Sequence, residues 1–331
     1  MLRTWRFRVF AATWLSYFGF YFCRKPFNIA KKDMFTDVGW DAELIYWLGT
    51  TYLITYAIGQ FVSGWLTQRY GARRVLLAGM AVSAFATAAM AVDFGWVAFA
   101  ALMALNGFAQ STGWSANVAA ISPWYTRTER GTVMGLWATN FQAGGVAGAA
   151  LAAFFLGRAG FGWRWAYLGG SVVLLGIWLL FFFLQRNRPE DVGLAAVSDP
   201  SEEEPPAQDD RPSRGLGWSR AIWTNVLLIG VFYFFVKFIR YAVWSWAPFL
   251  LQTHYGLKGD AAGFASTAFD VAGIAGVLAL GFCSDRFFSG RRVALSLGFI
   301  GLMGAGCLML YFMGGQSIAM FTVAIALIAT A

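Results

Sequence analysis

Two arginines, Arg24 and Arg240, sit inside stretches that are otherwise apolar. Each stretch is long enough to cross a bilayer, which takes about 20 apolar residues. A guanidinium at membrane depth is expensive, so it is expected to face a cavity and meet a charge there. Its planar fork offers phosphate two parallel charge-assisted bonds and keeps its charge in a poorly hydrated place. Two such groups predict a site for a doubly charged anion. Helical spacing adds candidates. Tyr17 and Tyr21 precede Arg24 by seven and three residues and share its face, where they bond the anion, orient the guanidinium or simply pack. Lys237, three residues before Arg240, is either a third cation for the substrate or the neutraliser of Asp270. Asp270 is the one carboxylate expected well inside a span, and its expected partner is Lys237 or Arg240. Lys25 lies on a different helical face from Arg24 and is expected to pair locally or reach the interface. Trp114, Asn117 and Asn140 are expected to line the cavity.

The elements that would hold these residues are helices. The chain is 58% hydrophobic and 13% charged, with a mean hydropathy of +0.56. A soluble domain averages about 25% charged. Long apolar blocks separated by short charged loops predict an all-α, polytopic membrane protein of about ten spans. They fall near 9–30, 44–66, 75–93, 96–119, 132–156, 165–185, 221–250, 261–283, 293–313 and from 317 onward. The first block is too long for a signal h-region and is expected to stay as a span.

The basic balance, pI about 9.6, would fit nucleic acid, but its placement points elsewhere. Of the 25 Lys and Arg, 16 fall in loops on the side of the N-terminus and five on the other. The positive-inside rule then predicts a multi-pass inner (plasma) membrane protein with a cytoplasmic N-terminus, partnered by the lipid bilayer and not by nucleic acid. Cys23, Cys283 and Cys307 are scattered through spans and form neither a disulfide framework nor a metal spacing. His254 reads as an ordinary loop residue. No nucleophile–base pair or phosphate-cradling glycine loop is evident, so no enzyme, cofactor or metal is expected. A proton-coupled exporter of cations would need an acid in the spans of the first half, where none is expected.

A polar stretch divides the chain. From Arg186 to Arg220 it carries Glu202, Glu203, Glu204, Pro205 and Pro206, a disordered-linker composition. The expected units are a six-helix bundle over 1–185, a cytoplasmic linker over 186–220 and an incomplete bundle over 221–331. The second unit echoes the first. Arg24 and Arg240, Gly64 and Gly281, and Arg74 and Arg292 recur at offsets of 216, 217 and 218 residues. Such repeats predict a secondary transporter with its site between the halves. The second set stops inside what should be its fourth span, so a C-terminally shortened chain is expected.

Several segments carry a resemblance: Tyr21-Phe22-Cys23-Arg24-Lys25-Pro26-Phe27, Asn106-Gly107 through Gly113-Trp114, Arg188-Pro189-Glu190-Asp191-Val192-Gly193-Leu194, Lys237-Phe238-Ile239-Arg240-Tyr241 and Ser266-Thr267-Ala268-Phe269-Asp270. They resemble the major facilitator superfamily and, within it, the organophosphate:phosphate antiporters. The resemblance implies that fold, with inorganic phosphate and a small organophosphate as ligands. It also implies that the arginines of the first and seventh spans, here Arg24 and Arg240, hold the phosphate. The glycerol-phosphate type has a lysine where this chain has Gln60 and a histidine where it has Phe141, which turns the expectation toward sugar-phosphate exchangers. A non-transporting sugar-phosphate sensor and a non-functional fragment are the alternatives.

Overall fold

The structure, a computed structural model, describes residues 1–92, 95–157, 161–197, 220–287 and 292–331; the side chains of residues 127, 128, 221, 278 and 280–295 are outside it. Apolar sequence in lipid must pair its own backbone, and among the described residues no strand occurs. The first expected span is bent. Helix α1 (Leu2–Phe20) tightens into a 3-10 turn at Tyr21–Cys23, and α2 (Lys25–Ile29) and α3 (Lys31–Asp37) follow. Pro26 opens α2; lacking an N–H, it cannot donate to the carbonyl of Phe22 four residues earlier. The chain therefore breaks at Arg24.

Helix α4 (Ala42–Tyr70) is capped by Asp41, whose Oδ1 accepts the Leu44 N–H at 2.7 Å. Gly71, at φ +83°, turns the chain into α5 (Ala72–Ala89). Helices α6 (Gly95–Gln110) and α7 (Thr112–Ile121) form the fourth expected span, interrupted at Ser111. The Ser111 carbonyl also accepts the Ser63 hydroxyl at 3.2 Å. Helices α8 (Arg127–Trp137) and α9 (Thr139–Gly157) make the fifth and α10 (Trp163–Leu184) the sixth. The second half holds α11 (Arg220–Thr253), α12 (Gly259–Phe287), α13 (Arg292–Met313) and α14 (Ile318–Thr330). Among the described residues five helical segments are long and apolar enough to cross a membrane, one of them running from Glu129 to Gly157 through α8 and α9. Of the other expected spans, the first is bent at Pro26, the fourth is broken at Ser111, α4 is polar along one side at Thr51, Tyr52, Thr55 and Tyr56, and α14 has 13 residues.

The expected linker begins ordered, which corrects its boundary at 186. Pro189–Val192 forms a 3-10 turn in which the Asp191 carboxylate accepts the N–H groups of Asn187 and Arg188, each at 3.0 Å. Asn187 Oδ1 in turn accepts the Arg73 N–H at 2.9 Å, so local side-chain bonds tie the segment to the start of α5. Residues 198–219, with the acidic run, lie outside the described residues.

Each half has its own apolar centre. In the first, Phe20, Leu76, Met80, Ile121, Trp137 and Leu174 pack together. In the second, Leu251, Phe269, Met303, Phe321 and Ile328 do so. The halves meet where α9 lies along α12. A Cβ on Gly145 would sit 2.5 Å from an Asp270 carboxylate oxygen, and one on Gly263 would sit 2.9 Å from the Ala153 methyl. Only residues without side chains allow this approach. The halves are also joined at the α3 end, where Lys31 Nζ donates to the Ser245 carbonyl and hydroxyl, both at 2.8 Å. Lys32 Nζ donates to the Gln252 carbonyl at 3.2 Å, and Gln252 Nε2 donates to the Ile29 carbonyl at 3.1 Å.

Candidate substrate site

The break at Arg24 does more than bend the chain, because it exposes backbone polar groups that lipid cannot satisfy. Asn106 Nδ2 takes up the Cys23 carbonyl at 3.2 Å. Asn106 Oδ1 accepts Ser83 Oγ at 2.7 Å and Gln110 Nε2 at 3.0 Å. Gln110 Oε1 then accepts both Tyr52 Oη at 2.8 Å and Arg24 Nε at 3.0 Å. The result is a buried chain of bonds from α5 and α6 that fixes one edge of the guanidinium. Its faces are fixed by aromatic rings: Tyr21, Tyr56 and Tyr52 lie 4.8, 5.1 and 5.6 Å from Arg24 Cζ. Arg24 is buried, and its Nη2 has no hydrogen-bond partner. A held guanidinium with a free N–H edge is a preformed anion receptor.

Arg24 borders a cavity of about 910 Å³ between the two halves. Its other walls include Tyr52 and Tyr56 of α4, Asn28 and Lys31, and Tyr233, Lys237, Tyr241 and Trp244 of α11. Among the described residues no carboxylate lines it. Asp270, the carboxylate expected inside a span, is engaged elsewhere. Asp270 Oδ2 pairs with Lys25 Nζ at 2.6 Å and Oδ1 accepts Trp244 Nε1 at 3.2 Å. This corrects the expected partner: neither Lys237 nor Arg240 neutralises Asp270. Lys25, expected to pair locally or reach the interface, is instead buried and crosses to the other half, because the break at Arg24 turns α2 toward α12. With Asp270 matched by Lys25, the cavity cations Arg24, Lys31 and Lys237 have no carboxylate partner among the described residues.

The remaining expected residues divide. Lys237 lines the cavity beside Tyr233 and Tyr241, whose ring centroids are 5.0 and 6.0 Å from Nζ. Arg240 does not line it: its Nη1 donates to the Ala329 carbonyl at 3.1 Å, and Phe269 and Phe141 flank its Cζ at 5.3 and 5.9 Å. Tyr21 lies under Arg24, while Tyr17 sits one turn back with its hydroxyl 3.5 Å from that of Tyr56. Trp114 is half-exposed and packs edge-on to Tyr17 and Trp137 away from the cavity wall. Asn117 is buried and bonds Ser16 at 2.9 Å. Asn140 is fully buried with both amide atoms unpaired. Sequence reasoning missed Tyr52, Tyr56, Asn106, Gln110 and Trp244 as site residues. Two signals were available: amides at 106 and 110 on one helical face of an apolar span, and Trp244 four residues after Arg240.

A second cavity of about 420 Å³, lined by Lys32, Asp33, Gln252, Lys258 and Asp260, lies at the α3 end. Burial pushes the Asp33 carboxyl above the ordinary carboxylate range.

Two helical halves around a cationic, acid-free cavity define a polytopic membrane protein of the solute-carrier kind. The sequence matches the Major Facilitator Superfamily over residues 9–331, and the chain belongs to that family. It is 28% identical over 317 residues to a probable hexose phosphate transport protein of Chlamydia pneumoniae, covering 89% of this chain and 69% of that one. It is 32% identical over 311 residues to the membrane sensor protein UhpC of Escherichia coli (strain K12), covering 89% and 68%. The fold is similar to that of a bacterial homolog of the human lysosomal transporter Spinster in an inward-facing, occupied conformation. The TM-score is 0.70 at 16% identity, over 98% of this chain and 72% of that chain.

Proposed function

We propose that this protein is a secondary active transporter that exchanges a phosphorylated metabolite, a sugar phosphate or glycerol-3-phosphate, for inorganic phosphate by alternating access. The observation that carries the proposal is the pairing of Arg24, with its Nη2 free, and Lys237 on a cavity that no described carboxylate lines. Similarity to hexose phosphate transport proteins supports the substrate class. Phosphate would enter between these two cations, and Tyr52, Tyr56 and Tyr241 would offer it hydroxyls. Held by Arg24 of the first half and Lys237 of the second, the dianion would add an interaction across the halves that the empty protein lacks. An interaction that differs between the empty and loaded states is what lets a ligand shift a conformational equilibrium. The charge distribution supports an inner-membrane location with the N-terminus cytoplasmic. The bonds of Lys31 and Lys32 to α11 then lie at the outer end, and the halves must part there to admit external substrate.

The test is exchange in proteoliposomes loaded with phosphate, followed by uptake of labelled glucose-6-phosphate or glycerol-3-phosphate. Exchange that Arg24→Ala abolishes is the expected result, and full exchange by that variant would sink the proposal. A sensor is the second reading, favoured by the 32% identity to UhpC. Substrate binding without flux would decide for it.

A further inference from the structure

A buried amide is expected to bond through both its nitrogen and its oxygen, and Asn28 bonds through the oxygen alone. It is 4% exposed, it lines the cavity of about 910 Å³, and its Nδ2 has no partner among the described residues. Its Oδ1 accepts the Ser245 hydroxyl of α11 at 3.2 Å, and Lys31 Nζ donates to the same hydroxyl at 2.8 Å. Ser245 and Lys31 line the cavity too, as does Trp246, whose ring centroid lies 4.2 Å from Lys31 Nζ. The cavity thus holds a second group of polar side chains besides the one at Arg24. Asn28 stands one helical turn after Arg24, about 6 Å along the axis and on the same face. The two side chains are therefore set for two parts of one small molecule.

The chemistry of the amide selects the part. An amide presents a donor and an acceptor side by side, whereas a phosphate oxygen only accepts and would engage the nitrogen alone. Two hydroxyls on adjacent carbons accept from Nδ2 and donate to Oδ1, so they match the amide at both atoms. We infer that Asn28 binds adjacent hydroxyls on the carbon skeleton of the substrate, one turn from the phosphate held at Arg24 and Lys237. The inference rests on the organophosphate reading above and deepens it: Asn28 makes the cavity select phosphate esters that carry a vicinal diol. Ser245 ties the amide to the contact that joins the halves at the α3 end. Parting of the halves there releases Ser245 and opens both amide atoms to the cavity.

Glycerol-3-phosphate and 3-hydroxypropyl phosphate share the phosphate, the three carbons and the terminal hydroxyl, and only the first has adjacent hydroxyls. Their relative affinity isolates this position. The measurement is displacement of labelled inorganic phosphate from the detergent-solubilised full chain by each ester. The wild-type protein is expected to prefer glycerol-3-phosphate about tenfold or more, since a site built to bond a hydroxyl rejects the analogue lacking it. Asn28→Leu, similar in volume and without the amide, is expected to bring the ratio close to one. Asn28→Ala, which asks for no new space, is expected to do the same and serves where the leucine variant does not fold. Both esters carry the same phosphate, so a general loss of folded protein leaves the ratio alone. No wild-type preference, or a wild-type ratio kept by either folded variant, overturns the inference and leaves the organophosphate reading standing. Failure of the wild-type chain to bind phosphate or either ester overturns that reading itself, and this inference with it.

Discussion

Arg24 and Arg240 are the same residue at matching places in the two halves, yet their surroundings differ. Arg24 stands in a helix break, held at Nε by Gln110, framed by three tyrosines and facing the cavity. Arg240 stands in an unbroken helix, gives Nη1 to a backbone carbonyl of α14 and is flanked by two phenylalanines off the cavity. A repeat in sequence puts like residues at like depths. What each one faces depends on its neighbours, and only the first half has a proline two residues on and an amide pair to hold the freed edge. Among the described residues of the second half, the cation that lines the cavity is therefore Lys237, one turn before Arg240.

This contrast can be broken or sharpened experimentally. The largest effect should come from the ion pair that separates the two arginines. Lys25→Ala or Asp270→Asn leaves a buried group without its partner and should destabilise the protein by about 3–5 kcal/mol. Thermal unfolding in detergent measures this, and Lys25→Met with Asp270→Leu should regain most of the loss without regaining exchange. Next, Arg24→Ala should weaken phosphate binding at least a hundredfold, about 2.7 kcal/mol or more. Arg240→Ala should cost clearly less, and equal losses in direct binding would erase the distinction between them. Gln110→Ala should cost about 1–3 kcal/mol by leaving buried groups unsatisfied, read as lower kcat/KM for exchange with a correspondingly lower melting temperature. Lys237→Ala should weaken phosphate about tenfold, about 1.4 kcal/mol, and an effect smaller than that of Arg240→Ala would reverse the assignment of the second cation. The smallest effect belongs far from either arginine. Glu129, whose side chain is 43% exposed, pairs with Arg6 at 3.0 Å, and Glu129→Gln should change stability by less than about 1 kcal/mol.

Much of this protein was legible before any coordinates. Apolar blocks of spanning length dictate helices because lipid offers the backbone no other partner. Arginines within those blocks pointed to buried polar contacts because an unmatched guanidinium is expensive at membrane depth. The segment broken at Arg24 was expected as part of one span over 9–30, although Pro26 carried the signal of the break, since a missing N–H acts within one turn. Partner choice was not legible. That Lys25 reaches Asp270 across 245 residues, that Gln110 and not a tyrosine holds Arg24, and that Arg240 turns from the cavity toward Ala329 all depend on how separate helices pack. Helical periodicity orients a side chain about its own axis only. Which neighbour waits there is decided by contacts between elements distant in the chain, so the identity of the charged residues belonged to the sequence and their pairing to the tertiary structure.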